Sequence, residues 1–129
     1  MLQFLILAKD SADEGALEKR LATRPFHLEG ASKLMANNHF VIGGATLDEN
    51  GNMNGSMMVV QFETQEEMKT WFDNEPYVTA QVWNEVEIRP FRVADVWAEF
   101  TEGSELAELM RYDQHVLNSA NSDPSVNSA

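Results

Sequence analysis

Cysteine is absent from this chain, which excludes a disulfide framework, a thiolate nucleophile and any cysteine-ligated zinc or iron–sulfur site. Basic residues are scarce: nine Lys and Arg stand against twenty-one Asp and Glu, a formal charge of −12 over 129 residues. Such a field repels phosphate backbones and anionic headgroups, so neither nucleic acid nor a membrane is an expected partner. Long apolar runs are missing too. The N-terminal stretch Leu2 to Ala8 lacks a basic flank and is far shorter than the roughly 18 residues a membrane-crossing helix needs. No signal peptide or anchor is expected, and the cytoplasm is the expected location. HExxH, the P-loop, GxGxxG and GxSxG do not occur, so zincin, nucleotide-binding and esterase readings lack their minimal signals. Asp48-x-Asn50-x-Asn52 opens like a calcium loop but has Met53 and Val59 where the sixth-position Gly and twelfth-position Glu belong. Neither a metal nor a cofactor is expected.

What remains is an ordinary globular composition, 43% apolar, with a legible order of elements. Leu2 to Ala8 reads as a buried strand ended by Lys9-Asp10-Ser11. Ser11 or Asp13 is placed to cap a helix through Leu17 and Leu21, and Arg24-Pro25 is expected to interrupt it. A second helical piece then runs from Pro25 to about Asn37, with Leu28, Ala31 and Met35 as its apolar stripe. His39 to Leu47 reads as a strand whose Gly43-Gly44 permits a bulge or a close approach. A turn-rich segment from Asp48 leads into a hairpin partner over Gly55 to Glu63. Thr64-Gln-Glu-Glu67 is a capping-box pattern for a helix to Asn74, Pro76 restarts a short helical piece, and Asn84 to Phe91 alternates as a last strand.

The order β, α, β, β, α, β is the split arrangement of a ferredoxin-like α+β fold with an antiparallel sheet. Its helices can cover only one face. Met58, Val60 and Phe62 point one way in the third strand while Met57 and Val59 point the other, and the first strand is apolar on both faces. A second copy of the chain is the economical cover, so a homodimer is expected. Residues 1–95 form the expected domain, 96–117 a C-terminal extension of arm plus helix, and 118–129, rich in Asn and Ser, a disordered tail.

Proton-transfer chemistry near neutrality falls to the three histidines. His27 has the best neighbours, at the expected start of the second helical piece beside Arg24, where free N–H groups and a cation favour a basic imidazole. The alternative is a half-buried helix histidine bonded to backbone. His39, opening a strand, and His115 read as surface or packing residues. Asp48, at a strand end past the glycines, is either a turn residue or a carboxylate that orients His27. Ser56, opening the third strand, is a candidate donor to a ligand.

Arg24-Pro-Phe-His27-Leu, Gly43-Gly-Ala-Thr-Leu-Asp48, Gly55-Ser56, Asn74-Glu-Pro76-Tyr77 and Val86-Glu-Ile-Arg89-Pro90-Phe, taken in order, resemble the YciI-like family over residues 1 to about 95. The resemblance implies a dimeric α+β barrel and a His–Asp pair, at His27 and Asp48, as catalytic residues, with Arg24, Ser56 and Tyr77 as substrate-binding candidates. One branch of the family is associated with chloride removal from a chlorinated hydroxyhydroquinone, and muconolactone isomerases share the barrel. This chain departs from the pattern in having Gly44-Ala45 where a proline usually follows the glycine, and in its extension. The expected function is that of a small cofactor-free lyase or isomerase acting on a cyclic or aromatic compound. The alternatives are a non-catalytic ligand-binding or accessory module, and an interaction protein that uses its C-terminal tail.

Overall fold

The first strand continues through Lys9 to Asp10, because Lys9 pairs with Gly55 on one side and Glu85 on the other, and Asp10 pairs with Trp83 on one side. In the computed structural model, which describes residues 1–96, the elements are β1 (Leu2–Asp10), α1 (Ala16–Ala36), β2 (Phe40–Leu47), β3 (Met53–Phe62), α2 (Gln65–Asp73), α3 (Pro76–Thr79) and β4 (Trp83–Phe91). The strands form one antiparallel sheet in the order β2-β3-β1-β4, the ferredoxin-like α+β arrangement. Met1–Val93 form one compact unit. The readings for the extension and tail fall, Val96 aside, outside the described residues.

Directly opposed residues of an antiparallel pair share a face, so the pairs Phe4↔Val60 and Ile6↔Met58 place alternate residues of β1 and β3 against the helices. There Phe4, Ile6, Met58, Val60 and Phe62 join Leu34, Met68, Tyr77, Val82 and Trp83 in one core. The opposite face carries Leu5↔Val59 and Leu7↔Met57. Leu7 and Ile42 on it are exposed.

The capping pattern holds: Thr64 Oγ1 accepts from the Glu67 amide at 3.1 Å and α2 follows. The expected break at Pro25 does not occur. α1 runs uninterrupted from Ala16 to Ala36 with Pro25 inside it, and its N-cap is Gly15 in the left-handed region rather than Ser11 or Asp13. Proline removes one N–H from the helix ladder. Here Leu21, which would have accepted it, and Pro25 both face solvent, so water can bond the freed carbonyl.

Continuity sets the helix phase and corrects the expected stripe. Leu28 and Met35 are exposed, while Arg20, His27, Ala31 and Leu34, spaced by seven, four and three residues, lie on the sheet-facing side. Polar groups therefore occupy the inward face of the N-terminal half of α1. On the facing strand, Gly55 runs so close to the Ala8 carbonyl that a Cβ has no room, which seats the neighbouring Ser56 deep in the sheet.

Candidate functional site

His27 lies in the middle of α1 rather than at a helix start, so its support comes from tertiary neighbours instead of free helix N–H groups. Its side chain is 13% exposed. The ring stacks on Tyr77, with centroids 4.0 Å apart and planes 15° off parallel, and its Nδ1 pairs with Glu75 Oε1. A carboxylate oxygen accepts, so Nδ1 carries the hydrogen, and in a neutral ring Nε2 is the nitrogen that keeps its lone pair. Glu75 is itself fixed, because its Oε2 accepts from the Tyr77 amide at 2.6 Å as the N-cap of α3. The sequence Glu75-Pro76-Tyr77 thus builds one corner of the site: the cap orients the carboxylate and the carboxylate orients the imidazole.

Arg20, one helical step before Arg24 on the same stripe, is buried and donates through Nη1 to both oxygens of Asp10, at 2.8 and 2.9 Å. Its Nη2 donates to Ser56 Oγ at 2.7 Å, and its guanidinium lies 4.7 Å from the Tyr77 ring centroid. Trp83 Nε1 also donates to Ser56 Oγ, at 3.1 Å. Burial pushes the Tyr77 hydroxyl above its ordinary pKa of 10.0, an effect that Arg20 and Arg24 partly oppose, so the phenol keeps its proton through the physiological range.

These groups meet at a cavity of about 100 Å³ that Arg24, His27, Ser56 and Tyr77 line together with Arg20 and Gly43. Four of the five site residues expected from the sequence are therefore together. Asp48 is not among the residues lining that cavity. Its Oδ1 accepts from the amides of Asn50 and Asn52, both at 2.9 Å, as a turn-forming aspartate does. The carboxylate on His27 belongs to Glu75, whose one signal in the sequence is its place before Pro76, the position a helix cap takes. Arg20, Asp10 and Trp83 carry no local motif that marks them for the site. The volume is well below the roughly 300 Å³ at which drug-sized ligand pockets begin.

A wider groove of about 780 Å³ opens at the end of β1, lined by Lys9, Asp10, Thr46, Glu85 and Glu87 among others, and Ser56 borders it as well as the cavity. Among the described residues no cluster of three or more His, Asp or Glu is placed to hold a metal ion, and no helix is long and apolar enough to cross a membrane.

Comparison with known proteins agrees with this architecture. A solved structure of 5-chloro-2-hydroxyhydroquinone dehydrochlorinase from Burkholderia phenoliruptrix, in complex with 2,5-dihydroxybenzoquinone, is similar at a TM-score of 0.61 and 25% identity, covering 71% of this chain and 95% of that one. Protein YciI of Escherichia coli is 35% identical over 95 residues, which are 69% of this chain and 95% of that protein. An uncharacterized protein of Haemophilus influenzae is 36% identical over 97 residues, 70% of this chain and 97% of that protein. The family model described as the YCII-related domain matches residues 2–92, and the chain belongs to that family.

Proposed function

We propose that this chain is a small enzyme of the lyase or isomerase kind, in which His27 moves a proton on a single-ring cyclic or aromatic compound held in the cavity beside Arg24, Ser56 and Tyr77. The observation that carries the reading is the His27–Glu75 pair, an imidazole held by a buried carboxylate at the wall of a cavity. Nδ1–H is committed to Glu75 and Nε2 is the atom that takes the proton. In an elimination, that proton leaves as the leaving group departs with its electron pair. In an isomerisation the proton returns at another atom. Neither balance requires an oxidant. Asp48 belongs in this reading to the turn after β2, and Glu75 takes the orienting role that the family resemblance implies for Asp48.

The reading includes a homodimer. Exposed Leu7 and Ile42 lie with Leu5 and Met57 on the sheet face away from the helices, and a second copy placed there removes that apolar surface from water. The similarity to a dehydrochlorinase supplies the first substrate to try. The test is chloride release from 5-chloro-2-hydroxyhydroquinone by the purified chain. Turnover by wild type that falls about 10² to 10⁴-fold in His27→Gln supports the proposal. Saturable binding of the compound without turnover, equal in both proteins, favours a ligand-binding module instead.

A further inference from the structure

The Ser56 hydroxyl holds an unusual position. Both groups bonded to its Oγ, Arg20 Nη2 and Trp83 Nε1, are donors with no capacity to accept. Oγ therefore accepts twice, and its own hydrogen has no acceptor among the described residues. Ser56 is 2% exposed, so its hydroxyl is withdrawn from bulk solvent. Beside it, Arg20 Nε is buried with no hydrogen-bond partner. Two donors without acceptors thus lie on directly bonded residues at the wall of the His27 cavity. Buried donors left unpaired are destabilising, and a fold that keeps two of them together is built for an acceptor brought from outside.

We propose that Ser56 Oγ–H and Arg20 Nε–H bind one oxygen of the substrate, the atom on which negative charge collects when His27 removes a proton. The proposal rests on the acid/base reading of His27 and narrows its substrates to phenols and cyclic enols, whose proton loss leaves charge on a ring oxygen. The guanidinium donors keep a fixed planar fork, and Asp10 holds that plane in place through Nη1, so neither donor reorganises as charge develops. The surrounding charge agrees. Once His27 has taken the proton, Arg20 is balanced by Asp10 and the imidazolium by Glu75, whereas Arg24 at the same cavity has no ion-pair partner among the described residues. One anionic oxygen completes the set.

The test uses 4-nitrophenol, whose absorption band reports whether it is bound as phenol or phenolate. Wild type is expected to bind it and enrich the phenolate. Ser56→Ala should weaken binding about 10- to 100-fold, as loss of a hydrogen bond to a charged oxygen does, and should lose the phenolate enrichment. Ser56→Thr, which keeps the hydroxyl, should restore both. Because Ser56→Ala also strands the Arg20 and Trp83 donors and can fail to fold, the Arg20 Nε–H signal of the unmutated protein is followed by ¹⁵N–¹H NMR during titration. A downfield displacement at saturation supports the proposal. It is overturned if 4-nitrophenol does not bind wild type, binds as the neutral phenol, leaves the Nε–H signal unmoved, or binds Ser56→Ala as tightly as wild type. His27→Gln separates the two ideas: phenolate binding that depends on Ser56, with chloride release indifferent to His27, keeps the oxygen site and discards the base.

Discussion

Two histidines of this chain are held in nearly the same way and differ in one atom's chemistry. His27 stacks on Tyr77 and bonds Glu75 through Nδ1; His39 stacks on Phe62, with centroids 4.6 Å apart and planes 18° off parallel, and bonds the Gln61 carbonyl through Nδ1 at 2.8 Å. In both, an aromatic ring fixes the plane and an acceptor fixes the tautomer. A carbonyl offers His39 only a dipole, and His39 is not among the residues lining the cavity of about 100 Å³. A carboxylate can stabilise the imidazolium that forms when Nε2 takes a proton. Packing geometry alone therefore does not single out a base; the proposal for His27 rests on the charge behind the ring and the space in front of it.

The comparison breaks most visibly in turnover. His27→Gln should lower chloride release about 10² to 10⁴-fold, whereas His39→Gln should leave it within about threefold, and steady-state kinetics on the two proteins measures the contrast. Equal losses would mean that both substitutions act through the fold. Glu75→Gln is the next largest effect. The amide oxygen can still accept from the Tyr77 N–H and keep the cap of α3, but the charge behind His27 is gone. A fall of about 10- to 100-fold in kcat, with the melting temperature nearly kept, is expected, since stabilising the developing imidazolium contributes about 1.4 kcal/mol per tenfold.

What the sequence showed of this contrast follows from how local each signal is. Strands β1 and β3 were legible because apolar runs of strand length register directly, and α2 because Thr64 and its Glu67 amide lie within one turn. Pro25 misled because its effect depends on solvent access to the Leu21 carbonyl, which tertiary structure decides. The break placed His27 at a helix start, and from there Asp48 looked like a reasonable partner. Glu75 lies forty-eight residues from His27, and its pairing depends on α3 docking against α1, which no spacing rule encodes. Arg24, Ser56 and Tyr77 stand in short motifs of the sequence as substrate-binding candidates and line the cavity, while the Arg20–Asp10 pair required the register of β1 and α1 together.

Stability sharpens the same comparison at smaller scale. His39→Leu leaves the Gln61 carbonyl without its imidazole donor and removes a polar ring from a half-buried position. It should cost about 1 kcal/mol in urea unfolding without touching ligand binding. Asp48→Ala removes the acceptor for two exposed backbone amides and should cost about as much, again with kcat unchanged. A large fall in kcat for Asp48→Ala would return that carboxylate to the catalytic site.

The smallest effect comes from Tyr77, the ring beneath His27. Its hydroxyl titrates above 10.0 in the folded protein, chiefly through burial. Below pH 10 the phenol is protonated both folded and unfolded, so its contribution to stability is fully present there. As pH rises past the unfolded value, the unfolded chain releases the proton while the folded chain retains it. Stability is therefore lost until the folded value is passed. Denaturation followed between about pH 9 and pH 11 should show a downward slope in wild type that is shallower in Tyr77→Phe. Phe62, which occupies the same position beneath His39, has no proton to lose, so Phe62→Leu should lower stability at every pH without altering that slope. A slope unchanged by Tyr77→Phe would mean that the ring beneath His27 is as indifferent to charge as the one beneath His39.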